Sequence, residues 1–187
     1  MNNKAKSVAL IGMLSAISYV VVFICHNIGL RIIPSVGFLT YDAKDVIIAM
    51  GGFMFGPLTS LAISFIVSFI EMFTISSTGI IGLIMNIISS CAFACVAAII
   101  YKRKRCIKNA IIGLASGVIV ATAAMMLWNY LITPWYMGTP RAVVASMLIP
   151  GFLPFNLIKY SINSVLTMLL YKPVVRGLRK AHILDAR

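Results

Sequence analysis

The sequence predicts an all-α integral membrane protein of six transmembrane helices, with N- and C-termini cytoplasmic and a single membrane domain over residues 1–187. Three observations predict it. Of the 187 residues, 61% are apolar, and a membrane-spanning helix needs about 20 mostly apolar residues. That is material for five or six spans and little else. Only 11% are charged, less than half of the roughly 25% usual in a soluble domain, and the mean hydropathy is +1.02. Finally, the basic residues gather at the ends of the apolar runs. Together these exclude a soluble enzyme and a disordered or fibrous chain. The net charge of +12, from 16 Lys and Arg against 4 Asp and Glu, then reads as a topology signal, not as a nucleic-acid surface.

Span one is expected over about 7–27. Its start, Met-Asn-Asn-Lys-Ala-Lys before an apolar run, resembles a signal peptide. The run is too long for one and no small-x-small site follows it, so it reads as an uncleaved first span. Span two, about 43–55, is short and stops at Gly56-Pro57. Span three covers about 58–75, and the loop Ser76-Ser77-Thr78-Gly79 separates it from span four, about 80–101. The basic cluster Lys102-Arg103-Lys104-Arg105, with Lys108, follows. Span five runs over about 109–132 and ends before Pro134. A loop with Trp135, Tyr136, Gly138, Pro140 and Arg141 leads to an apolar stretch at about 143–153. That stretch is too short to span and is punctuated by Pro150 and Pro154, so a re-entrant or interfacial segment is expected. Span six covers about 155–175, and a basic tail follows.

Counting Lys and Arg sets the orientation. With the N-terminus inside, 12 of the 16 fall on the cytoplasmic side: Lys4, Lys6, the five of 102–108, Lys172, Arg176, Arg179, Lys180 and Arg187. Arg31, Lys44, Arg141 and Lys159 fall opposite. Six spans with both ends inside satisfy this bias. Cys25, Cys91, Cys95 and Cys106 form no CxxC and have no nearby His at zinc spacing, so they read as small apolar residues.

In a bilayer, backbone polar groups are satisfied internally, so the spans are helices, and an ionisable side chain inside one is costly. The candidates are Asp42, Asp45, Glu71 and Lys159. Asn156, Lys159 and Asn163 are spaced three and four apart, which puts them on one helix face. This stripe has two readings. One is a ligand site near the outer face of the bundle. The other is Lys159 snorkelling to the interface while the asparagines hold helices together. Asn129 lies among Trp128, Tyr130, Trp135 and Tyr136. An aromatic belt accounts for the rings but not for the amide. A flat aromatic ligand would use both, through ring faces and edge hydrogen bonds. In the first outer loop, Thr40 or Asp42 could cap span two, with Asp45 in its first turn, or the same residues could meet the ligand. Glu71 needs a basic partner that the sequence alone does not name.

The chain has no G-x-x-x-x-G-K-S/T, no HExxH and no G-x-S-x-G, so no ATP is bound through a P-loop and an intramembrane hydrolase or metalloenzyme lacks its parts. Energy for uphill transport must come from another subunit or an ion gradient. Small residues recur at helical spacing. Gly113-x-x-x-Gly117 in span five reads as internal packing, and Ala5, Ala9, Gly12 and Ala16 in span one read as a face for a partner helix.

These residues carry a resemblance. The chain resembles the substrate-binding S components of energy-coupling factor (ECF) vitamin transporters, the riboflavin branch most closely, over nearly its whole length. The carriers are Phe38-Leu39-Thr40-Tyr41-Asp42-Ala43-Lys44-Asp45-Val46, Phe55-Gly56-Pro57, Asn129-Tyr130-x-Ile132-x-Pro134-x-Tyr136 and Pro154-Phe155-Asn156-Leu157-Ile158-Lys159. The resemblance implies a six-helix fold binding one riboflavin near the extracellular face, as a transported ligand and not a cofactor. It implies that Asn129, Asn156 and Lys159 reach the polar edge of the isoalloxazine ring, and that the loop from Leu39 through Thr40 to Asp42 closes over it. Tyr136 and Asn163 complete the expected ligand set. Also implied are a membrane T component, docked on Ala9, Gly12 and Ala16, two separate cytoplasmic ATPase subunits, toppling of the S component during transport, and a place in the bacterial plasma membrane. The chain departs from the branch at Glu71-Met72, where a Lys-Asn pair is frequent, at Ile47, where Pro is frequent, and at Gly79-Ile80-Ile81-Gly82, where Gly-Pro-x-Gly is frequent. An S component for another vitamin or flavin analogue and a ligand-free membrane scaffold are the alternatives.

Overall fold

Apolar runs of this length leave the backbone one economical solution, the helix, and the computed structural model is helical throughout, with no strand among the described residues, 3–180. Arg187 lies outside those residues, as do the side chains of Lys4, Ala5, Lys6, Arg179 and Lys180. The first helix, α1, is Asn3–Ile28; a loop with a short 3₁₀ turn at Pro34–Val36 leads to α2, Lys44–Phe55. Then come α3, Pro57–Thr74, and α4, Gly79–Ser90, which continues through a π-turn at Cys91–Cys95 into α5, Val96–Arg103. Next are α6, Ile107–Leu131, and two short helices, α7, Thr133–Met137, and α8, Arg141–Met147. A second π-turn, Leu148–Phe152, joins α8 to α9, Leu153–Lys180.

Among the described residues, five helical stretches are long and apolar enough to cross a membrane: Val8–Ile28, Pro57–Thr74, Gly79–Arg103, Ile107–Leu131 and Arg141–Leu178. The segment expected as span two is different. At 12 residues and about 1.5 Å per residue, α2 rises about 18 Å, short of the roughly 30 Å hydrocarbon core. Nine of its residues are buried, where α1, α3, α5 and α9 pack around it. It is the inner helix of the bundle.

The segment at 143–153, expected as re-entrant or interfacial, is helical and runs through the second π-turn into the sixth apolar run. Prolines interrupt the α-helical ladder by removing an N–H and crowding the preceding turn. Here Pro150 lies within the π-turn, and Pro154 sits at the second residue after it.

Close approach explains two glycines. A Cβ on Gly113 would stand 2.7 Å from the Ala97 carbonyl oxygen, and one on Gly117 2.6 Å from that of Phe93. The Gly113-x-x-x-Gly117 face therefore lets α6 lie against the backbone of α5 and the first π-turn, as internal packing. Gly56 joins α2 to α3 at φ +106°, a region open to glycine, with Pro57 beginning the next helix. In contrast, Ala9, Gly12 and Ala16 lie on an exposed face of α1. Large apolar side chains such as Phe65, Phe69 and Phe73 are also exposed, as suits helices facing lipid.

Candidate functional site

The antiparallel helices bring six ends together: the C-terminal ends of α1, α3 and α6 and the N-terminal ends of α2, α4 and α9. They meet at the end of the bundle opposite the basic turn Lys102–Arg105. Between them and the loop 38–42 lies a cavity of about 210 Å³. Its walls include Leu39, Thr40 and Asp42 from the loop, Asn129 from α6, and Asn156 and Lys159 from α9. Six of the eight ligand residues expected from sequence therefore line one cavity.

The other two do not line it. Asn163 is fully buried one turn below Lys159. Its Oδ1 accepts the Tyr41 hydroxyl at 2.7 Å, and its Nδ2 donates to the Asp42 carbonyl oxygen at 3.3 Å. It anchors the loop. Tyr136 is half exposed, and its neighbour Trp135 is 81% exposed, because α7 turns the segment after Thr133 away from the cavity. The apolar lining comes instead from Leu39, Met85, Met125 and Phe155, so the faces of a flat ligand would meet these side chains and not the Trp and Tyr rings around α7.

Charge is concentrated here. Lys159 Nζ lies 2.7 Å from Asp42 Oδ2 and 3.8 Å from Asp45 Oδ2, and Asp45 Oδ1 accepts the Ser90 hydroxyl at 2.5 Å. Burial works to raise the pKa of Asp42, but Lys159 and then Lys44 outweigh it and hold this loop carboxyl below its ordinary value. Burial pushes the neighbouring Tyr41 hydroxyl up to about 12, so it stays a neutral donor to Asn163. Glu71 has found its partner. Lys44 Nζ sits 2.8 Å from Glu71 Oε1 and 2.7 Å from Oε2, and Asn86 Nδ2 donates to Oε2 at 2.8 Å. Lys44, Glu71 and Asn86 all line the cavity. The sequence marks Glu71 as an ionisable residue in an apolar span but does not point to Lys44 as its partner. The signal available was that two ionisable groups in apolar helices must satisfy each other.

The amides are pre-set by their own helices. Asn129 Nδ2 donates to the Met125 carbonyl at 2.7 Å, and its Oδ1 accepts from Thr133 at 2.8 Å. Asn156 Nδ2 donates to the Phe152 carbonyl at 2.7 Å, at the end of the second π-turn. Each amide keeps one N–H, Asn156 keeps its carbonyl oxygen, and Lys159 keeps further N–H donors. A set of donors and acceptors on rigid helices can read the edge of a heterocycle. Among the described residues no group of three or more His, Cys, Asp or Glu could hold a metal ion.

Comparison with known proteins follows the same line. Residues 6–171 match the family "ECF transporter, substrate-specific component". The chain is 30% identical to the riboflavin transporter RibU of Staphylococcus aureus, covering 94% of this chain and 93% of that protein. It is 28% identical to the riboflavin transporter FmnP of Bacillus subtilis, over 96% of this chain and 99% of that protein. Among solved structures it is similar to the S component of a bacterial ECF transporter, with a TM-score of 0.78, 30% identity and coverage of 94% of this chain and 99% of that one. The chain belongs to the family of substrate-specific components of ECF transporters.

Proposed function

We propose that this chain binds riboflavin and carries it across the bacterial plasma membrane as the S component of an ATP-driven ECF transporter. One observation carries the reading: Asn129, Asn156 and Lys159 line a single cavity at one end of a bundle of apolar helices. The imide edge of the isoalloxazine ring presents acceptor, donor and acceptor. Its complement is a donor from Asn129, an acceptor from Asn156 and a donor from Lys159, all of which their internal hydrogen bonds leave open. The names of the similar proteins from S. aureus and B. subtilis support the same ligand.

In this reading α2, too short to span alone, is the sixth helix of the membrane bundle, both termini are cytoplasmic, and the cavity faces outward. Leu39, Thr40 and Asp42 belong to the loop that covers the ligand. The chain carries no ATPase motif, so a membrane T component and two ATPase subunits supply the energy, with Ala9, Gly12 and Ala16 as the docking face. Reconstitution of the chain with these subunits in vesicles tests it. Riboflavin should accumulate only when ATP is supplied on the cytoplasmic side. Uptake independent of ATP, or no uptake by a complete complex, would contradict the proposal.

A further inference from the structure

The Lys44–Glu71 pair has no part in the ring-edge contacts, yet it is a wall of the same cavity. Its side chains are 2% and 3% exposed. An ion pair this deep gains little net stability, because desolvation offsets the attraction, so folding alone does not account for it. Its geometry suits a ligand. A carboxylate has about four acceptor positions. Lys44 engages both oxygens and Asn86 a second position on Oε2, which leaves Oε1 able to accept again. Asn86 spends Nδ2 on Glu71 and so keeps its amide oxygen as another acceptor. Fixed acceptors of this kind match O–H donors. A phosphate monoester is the opposite group: it carries about −1.5 to −2 at pH 7 and offers acceptor oxygens. The ammonium that could receive it is already neutralised by Glu71.

We infer that Lys44, Glu71 and Asn86 form the specificity subsite for the ligand's side chain, accepting the hydroxyls of an uncharged polyol and rejecting a phosphate monoester. The inference rests on the riboflavin reading, with the ribityl chain directed from the α6–α9 side of the cavity toward α3 and α4. FMN carries its phosphate on that same chain.

Titration of the purified full chain with riboflavin and with FMN tests it. FMN should bind the wild type about 100-fold more weakly, as expected for an unrelieved like-charge contact. Glu71→Gln should narrow the gap to about tenfold or less, mainly by strengthening FMN, because Lys44 is then free to meet the phosphate. That variant buries an unpaired ammonium. The double variant Lys44→Met with Glu71→Gln removes both charges, a change that buried pairs often tolerate, and should narrow the gap as well. Equal affinities in the wild type, or an unaltered gap in either folded variant, overturn the subsite. Failure of both flavins to bind the wild type overturns the riboflavin reading and the subsite with it.

Discussion

Lys159 spends one N–H on Asp42 at 2.7 Å and has two left for a ligand; Asn156 spends one on its own helix. Replacing either by Ala should cost about 1.5–3 kcal/mol of riboflavin binding, roughly 10- to 150-fold in Kd. Unchanged affinity in both would remove them from the site. Lys159→Ala also strands Asp42 and Asp45, so its thermal stability should fall, whereas Asn156→Ala should mainly affect binding. Asp42 gives a pH signature. Its folded pKa is depressed, so its stabilisation is fully present above the unfolded value near about pH 4 and is lost as pH falls through the folded value. Asp42→Asn should therefore be less stable at neutral pH and lose less on acidification than the wild type, as thermal unfolding across pH would record. At this scale the 3–4 spacing of Asn156, Lys159 and Asn163 was legible. Their separate uses were not, because Asn163 meets Tyr41 across 122 positions of sequence, a contact set by where the loop folds back. Lys44–Glu71 was hidden for the same reason, since only the packing of α2 on α3 brings the two together.

Among the elements, α6 depends most on close approach. Gly117→Ala puts a Cβ 2.6 Å from a backbone oxygen that cannot rotate away, and such overpacking costs about 1–3 kcal/mol. Gly12→Ala meets nothing within 4 Å and should leave stability unchanged or slightly raised, since Gly inside a helix costs about 0.5–1 kcal/mol relative to Ala. Thermal unfolding of the two variants in one detergent separates these cases; equal loss in both would refute the assigned packing. Most long helices were readable from their apolar runs alone. The join of α8 to α9 was not, because Pro150 and Pro154 carry a stop signal locally, and the π-turn that carries the helix past Pro150 is not visible in composition. α2 was placed correctly at 43–55 but its inner position follows from its neighbours, not from its own hydropathy.

For the whole molecule, the cavity and the basic turn Lys102–Arg105 lie at opposite ends, which ties the binding side to the side poor in Lys and Arg. In sealed cells, a membrane-impermeant thiol reagent should label Ser77→Cys, at the cavity mouth, from outside, and should reach Cys106, beside the basic turn, only from the cytoplasm. Labelling in the reverse sense would invert the orientation. The central claim is that this cavity holds riboflavin, and a fluorescence titration of the detergent-purified full chain tests it most directly. Held rigidly in the cavity, bound flavin should show raised emission anisotropy, saturating at one riboflavin per chain, with the midpoint moved at least about tenfold by Asn156→Ala. Anisotropy unchanged at stoichiometric protein, or a rise that ignores that substitution, would contradict the account.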